Sequence, residues 1–334
     1  MPTLTRRQWL AAASAAILEG VQGGPLRAAD DSRSKRPRFG PDAVGANTAI
    51  PGYGLYEAIA LLRRLGFETI EFHAMGRPEP TPGKFPGIQF DQLPEEQRQR
   101  LATALSSFPH VTVHLPYSGL RLVSTDCEEQ SRSRHIIETA LDAAAYFEVE
   151  VAVIHCLPPR GRKLEEAWQE LVELFRRWGD RAKRGGFRLA IETGYPASVA
   201  QFVHLVRDVD HASVGATLDV GHQIHSPEFR RLFPGKIPAS PEAFLAYNNV
   251  LHQLVDQLGA KLIHFHVHDI DPSVWREHRT IEYGVIDYPR LFRALADRGA
   301  GGLFVLEVGG PAEKMEAMLA ADRERLLNWI RQVL

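Results

Sequence analysis

The sequence predicts a single α/β domain closed into a (β/α)8 barrel, and three observations carry that expectation. Eight short apolar runs alternate with longer helical patterns from residue 40 onward. The runs are almost wholly apolar, as parallel strands covered by helices must be. No glycine-rich fingerprint follows the first run, so an open doubly wound sheet is the weaker of the two solutions.

The chain opens MPTLTRRQWLAAASAAILEG, an arginine pair followed by an apolar run too short to span a bilayer. This pattern reads as a twin-arginine export signal, and the charged stretch after it as a linker. Residues 1–38 are therefore set apart from the barrel domain, 39–334. The reading implies a periplasmic or otherwise exported protein; without it, a cytoplasmic one.

The predicted strands are AVGANT (43–48), TIEFH (69–73), VTVHL (111–115), VAVIHC (151–156), RLAIET (188–193), GATLDV (215–220), LIHFHVHD (262–269) and LFVLEV (303–308). Helices are expected over 56–66, 133–147, 164–186, 196–209 and 287–299, each apolar at i, i+3, i+4 and i+7. Several close on glycine, which takes the left-handed conformation that ends a helix. Two long connections, 74–95 and 223–243, have the length of lids, binding loops or oligomer contacts.

A formal net charge of −2 supplies no global field for nucleic acid or an anionic membrane. Only two cysteines, Cys127 and Cys156, are present, so neither a disulfide framework nor a CxxC zinc site can form. Cys156 follows His155 on a strand and should face the other way, as a core thiol. Any metal must be held by His, Asp and Glu.

The polar residues fall at strand ends. Glu71 and His73 close the second run, His114 the third, His155 the fourth and Glu192 the fifth. Asp219 closes the sixth, His266 and His268 the seventh, and Glu307 the eighth. In such a barrel that rim carries the active site. Any one such histidine is more often a satisfied core or rim group. Together, carboxylates and imidazoles converging on one mouth call for a cation among them. An oxygen and nitrogen donor set suits Mn2+, Co2+, Mg2+ or Zn2+, and one divalent ion per chain is expected.

The ordered series IET, LDVGH, HVHD and LEV over residues 40–334 resembles the xylose isomerase-like barrel superfamily. That superfamily holds sugar isomerases, ketose epimerases, inosose dehydratases and abasic-site nucleases of the endonuclease IV type. By position, the resemblance implies Glu192, Asp219, His266 and Glu307 as metal ligands, with His222 of LDVGH contacting substrate or a second metal. It makes His264 a packing or supporting residue. His114, His155 and His278 fall where the nuclease branch has further ligands, but Arg276 stands where its D-x-H pattern needs aspartate. Where the sugar branch has a G-x-G loop, this chain has IEYGVID, with Glu282 in place of the first glycine.

The expected activity is isomerisation or epimerisation of a carbohydrate next to a carbonyl, through an enediolate that a divalent ion would stabilise. Glu192 and Glu307 would exchange roles as base and acid, and His222 would orient a substrate oxygen. Glu71, His114, His155, His268 and His278 would bind the substrate. Three alternatives stay open: abasic-site phosphodiester cleavage, elimination on a keto-sugar or inosose, and non-catalytic sugar binding. A small carbohydrate is the expected partner, nucleic acid and a membrane span are not, and homo-oligomerisation is left open.

Overall fold

The computed structural model describes residues 39–75 and 87–334. The export signal read in residues 1–38, and part of the first long connection, lie outside the described residues.

All eight expected strands form: β1 (Val44–Asn47), β2 (Thr69–Ala74), β3 (His110–His114), β4 (Val151–His155), β5 (Arg188–Glu192), β6 (Val214–Asp219), β7 (Leu262–Val267) and β8 (Leu303–Leu306). Each pairs in parallel with its sequence neighbour, and β1 pairs with both β2 and β8, which closes the barrel. Outside it lie α1 (Leu55–Arg64), α2 (Glu95–Leu105), α3 (Cys127–Tyr146), α4 (Leu164–Gly185), α5 (Val199–Val209), α6 (Pro241–Leu258), α7 (Tyr288–Asp297) and α8 (Met315–Arg331).

Local chemistry sets the helix ends. Asp126 accepts from the Glu128 and Glu129 N–H groups at the start of α3. Gly186, at φ 77°, terminates α4. The helix at 133–147 begins earlier than its apolar pattern, because the polar first turn of α3 is carried by this cap. The second long connection is structured by a turn at His222–His225 and a short helix at Pro227–Arg230, before α6 begins on the Ser240 cap.

Inside the barrel the side chains are layered. Val151, Val153, Ala190 and Ile263 fill the lower end. Ile263 joins them because β7 carries an extra residue against β6: Ala216 pairs with Leu262, and Thr217 already with His264. Above them lie Glu71, Thr112 and His264, and the mouth follows. On the outer face Phe265 stacks on Phe304 at 4.5 Å, and Phe39 meets Phe304 edge-on at 5.1 Å. Cys156 is buried, and burial pushes its thiol pKa up, as an inert core thiol requires. No helix among the described residues is long and apolar enough to cross a membrane.

At the opposite end from the mouth, His110 is 2.7 Å from Glu150 and 3.3 Å from Asp42, tying the segment before β1 to the base of the barrel. The Glu150 hydrogen bond, with its charge and that of Asp42, raises the His110 pKa despite partial burial. Because the folded value lies above the unfolded one, the contribution is complete below about pH 6.5 and disappears as pH rises through the folded value. Melting of wild type and His110→Gln should differ by about 2 °C near pH 5.5, with the gap narrowing as the pH rises through the raised His110 pKa. A gap that does not vary with pH would refute this role.

Candidate metal centre

His266 sits at the centre of the mouth, fully buried. Its Nδ1 lies 3.1 Å from Glu192 Oε1, 3.2 Å from Glu307 Oε2 and 3.7 Å from Asp219 Oδ2. One proton on that nitrogen cannot serve three carboxylates. A shared cation can: metal–ligand bonds of about 2.0–2.2 Å set neighbouring donors about 3.0–3.5 Å apart. The donor types and the spacing about His266 fit a divalent ion: donor atoms of Asp219, His266 and Glu307 all lie within 4.8 Å of one another, and Glu192 groups in the same way with His114 and His266 and with Asp219 and His222.

Neighbouring groups orient two of these four residues, Asp219 and His266. Asp219 Oδ1 accepts the N–H groups of Gly221 (2.8 Å) and His222 (3.0 Å), so Oδ2 is the oxygen turned to the centre. The other ring nitrogen of His266, Nε2, faces Glu71 Oε1 at 3.1 Å. A hydrogen bond from Nε2–H to that carboxylate fixes the tautomer and leaves the Nδ1 lone pair for a cation. Burial alone would raise the Glu71 carboxyl, but His266 and His264 beside it bring its pKa down to about 2. Burial also opposes a charge on His266, yet Glu307, Glu192 and Glu71 hold its pKa well above the ordinary value, so a cation binding at Nδ1 would displace a proton from it.

Two expected substrate contacts are placed differently. Glu71 is fully buried below His266, where it also accepts from the Thr112 hydroxyl at 3.1 Å. His268 is fully buried just past the end of β7, its Nε2 3.2 Å from both oxygens of Asp219 and its Nδ1 accepting the His278 N–H at 3.1 Å. Glu71 contacts His266 and His268 contacts Asp219, both of them candidate metal ligands. The strand-end position is correct for each, but neither side chain reaches the open rim. His264 lies deeper, where burial lowers its pKa to about 3 and keeps it neutral.

His114 and His155 flank Glu192. Their Nε2 atoms lie 3.3 and 2.9 Å from its Oε2, which is buried, and neither contact has hydrogen-bond geometry. The Nδ1–H of His114 is spent on the Leu115 carbonyl at 2.9 Å. His155 is partly open to solvent, its side chain 20% exposed. His222 donates Nδ1–H to the Thr193 carbonyl (2.6 Å) and turns Nε2 toward Asp219 Oδ2 (3.8 Å). Burial opposes its charge, but Asp219, Glu192 and Glu277 raise its pKa to about 9. His278, on the hairpin formed by Asp269–Asp271 and Arg276–Arg279, stands 4.4 Å from His268, ring to ring.

Several residues at the site were not read from the sequence. The Tyr247 hydroxyl from α6 is 2.7 Å from the Val220 carbonyl and 2.8 Å from that of Gly221, holding the turn that carries Asp219 and His222. The Tyr288 hydroxyl donates to the His268 carbonyl at 2.5 Å. Both tyrosines look like ordinary core residues in a helical pattern. Tyr117 lies over His155 at 4.6 Å and is 44% exposed, three residues past a strand-end histidine. Glu277 has no motif of its own.

Comparison with known proteins bears on the whole domain. Among solved structures of similar fold is one titled a D-tagatose 3-epimerase-like protein, with TM-score 0.64 at 17% identity over 87% of this chain and 97% of the other. A second, D-psicose 3-epimerase with D-tagatose from Clostridium cellulolyticum H10, gives 0.61 at 17% identity over 87% and 99%. A third, a xylose isomerase-like TIM barrel protein from Mycobacterium smegmatis in complex with magnesium, gives 0.58 at 16% identity over 87% and 97%. At these identities the likeness is one of fold. No curated protein matches the sequence. The family described as xylose isomerase-like TIM barrel matches residues 59–332, and the chain belongs to that family.

Proposed function

We propose that this protein is a divalent-cation-dependent sugar isomerase or epimerase that moves a proton next to a carbonyl. The observation that carries this reading is the approach of Glu192, Asp219 and Glu307 to the single Nδ1 atom of His266. The names of similarly folded proteins, 3-epimerases of tagatose and psicose among them, support the substrate class.

A cation held by Glu192, Asp219, His266 and Glu307 would draw electron density from a substrate carbonyl and so acidify the adjacent C–H. Epimerisation then needs a proton taken from one face of a carbon and one delivered to the other. Glu192 and Glu307 reach the centre from β5 and β8, on different sides of His266, and both are held ionised. Burial opposes that charge, while neighbouring imidazoles, His155 and His266 for Glu192 and His266 and His278 for Glu307, favour it. Each is therefore in the deprotonated form that a base requires. His155 and Tyr117, partly exposed at the mouth, would meet substrate hydroxyl groups, and His222 would orient an oxygen. Elimination on a keto-sugar would use the same groups. Glu71 has a different part: it sets the His266 tautomer from below.

Export through the arginine-pair leader, Arg6 and Arg7, would expose the enzyme to unphosphorylated sugars or glycosides. N-terminal sequencing of the mature protein from a periplasmic fraction should then start near the linker; an intact Met1 terminus would count against export.

Incubated in D2O with a panel of ketoses, aldoses, inososes and keto-glycosides, the metal-loaded protein should place deuterium next to the carbonyl of one class. Glu192→Gln and Glu307→Gln should each slow that exchange by about 100-fold or more. Wild-type exchange rates in both variants would overturn the assignment. Glu71→Gln, which leaves all four ligands in place, should weaken metal binding by about 10–100-fold, as loss of an orienting partner does. Unchanged affinity by calorimetry would remove Glu71 from this role.

A further inference from the structure

The strands that carry the mouth also meet at the other pole of the barrel. Arg188, Ala190 and Glu192 share one face of β5, and His110, Thr112 and His114 share one face of β3. Because Ala190 belongs to the apolar layer inside the barrel, Arg188 faces the interior below that layer, and both it and His110 line a cavity of about 520 Å3. That is the size of a small-molecule site. Ile263, from the same layer, forms its roof, with Leu303 and Phe39 beside it. Gly40, Gly299, Gly301 and Gly302 also line it and add no side chain to fill the space.

The charges around this cavity are unevenly matched. His110 is already shared by Glu150 and Asp42, at 2.7 and 3.3 Å. Arg188 has no such partner: among the described residues, no carboxylate lies within 4.0 Å of its guanidinium. The residue stays accessible to solvent, yet partial burial lowers its pKa, although Glu150 nearby opposes that shift. A guanidinium that has lost water without gaining a counter-ion is stabilised by an anion that brings two oxygens to its planar fork. Asp42 and Glu150 stand at the same cavity and disfavour a second negative charge on that anion. Ile263, Leu303 and Phe39 offer an apolar surface to whatever carries the first.

We infer that the base of the barrel is a second binding site, for a small organic carboxylate with an apolar body, held by Arg188. The carboxylate takes the Arg188 fork, and the apolar body covers Ile263 and Leu303. The buried layer of Val151, Val153, Ala190 and Ile263 lies between this site and the mouth. The base site and the candidate metal centre share no residue, so the inference stands independently of the proposed sugar chemistry and of any cation.

Titration of the full-length protein with benzoate, hexanoate, acetate and inorganic phosphate near neutral pH, followed by ligand-observed NMR, tests this site. Benzoate or hexanoate should bind saturably, and acetate, which lacks the apolar body, about 10-fold more weakly or worse. Arg188→Gln should raise the Kd of the tighter probe by about 10-fold or more. Ala260→Trp, at an exposed position lining the same cavity, should fill the space and abolish binding with Arg188 intact. It supplies the readout should Arg188→Gln fail to fold by circular dichroism. No saturable binding of benzoate or hexanoate, or binding that survives in either folded variant, overturns the inference. Phosphate that binds more tightly than both carboxylates overturns the assignment of a singly charged ligand.

Discussion

The convergence of three carboxylates on one imidazole nitrogen constrains the rest of the mouth. Buried like charges this close are unfavourable unless something positive lies among them. Every neighbouring contact can be understood as preparing that arrangement. Glu71 directs the His266 ring, backbone N–H groups occupy one oxygen of Asp219, and His268 backs the same carboxylate. None of these contacts would be needed in an apolar barrel core.

The closed parallel barrel makes the arrangement achievable. Strand ends far apart in the chain, such as those of β2 and β8, become neighbours of one central point only because β1 joins both. The apolar lower layer of Val151, Val153, Ala190 and Ile263 keeps water from the underside. The extra residue at Ile263 sets the phase in which His264, His266 and the following His268 emerge. A sheet without that bulge would turn the three histidines to the helix layer and Phe265 inward.

Much of this was legible in the sequence. All eight strands could be read, because in a chain of alternating strands and helices a short apolar run closed by a polar residue is what a covered parallel strand ending at a rim requires. The central four residues could be named only through the resemblance of IET, LDVGH, HVHD and LEV to one family, because strand-end position alone favours His268 over His266. Depth was not legible: Glu71 and His268 stand at strand ends like their neighbours, yet the first lies below His266 and the second behind Asp219. Strand position gives a side chain's face, while its distance from the rim depends on barrel tilt and on what lies above. Glu277 was invisible for a related reason. Alternation assigns it to the face opposite His278, and only a left-handed residue in a bulged hairpin cancels that rule. Tyr247 and Tyr288 were hidden in helical patterns, where a tyrosine that packs and one that fastens a turn look alike.

The most direct measurement is anomalous scattering from crystals loaded with Mn2+, Co2+ or Zn2+, collected on both sides of the metal's absorption edge. The account requires a peak at about 2.0–2.2 Å from Glu192, Asp219, Glu307 and the Nδ1 of His266. Density for the metal only at the protein surface, or ligation of His266 through Nε2 with Glu71 turned away, would contradict it.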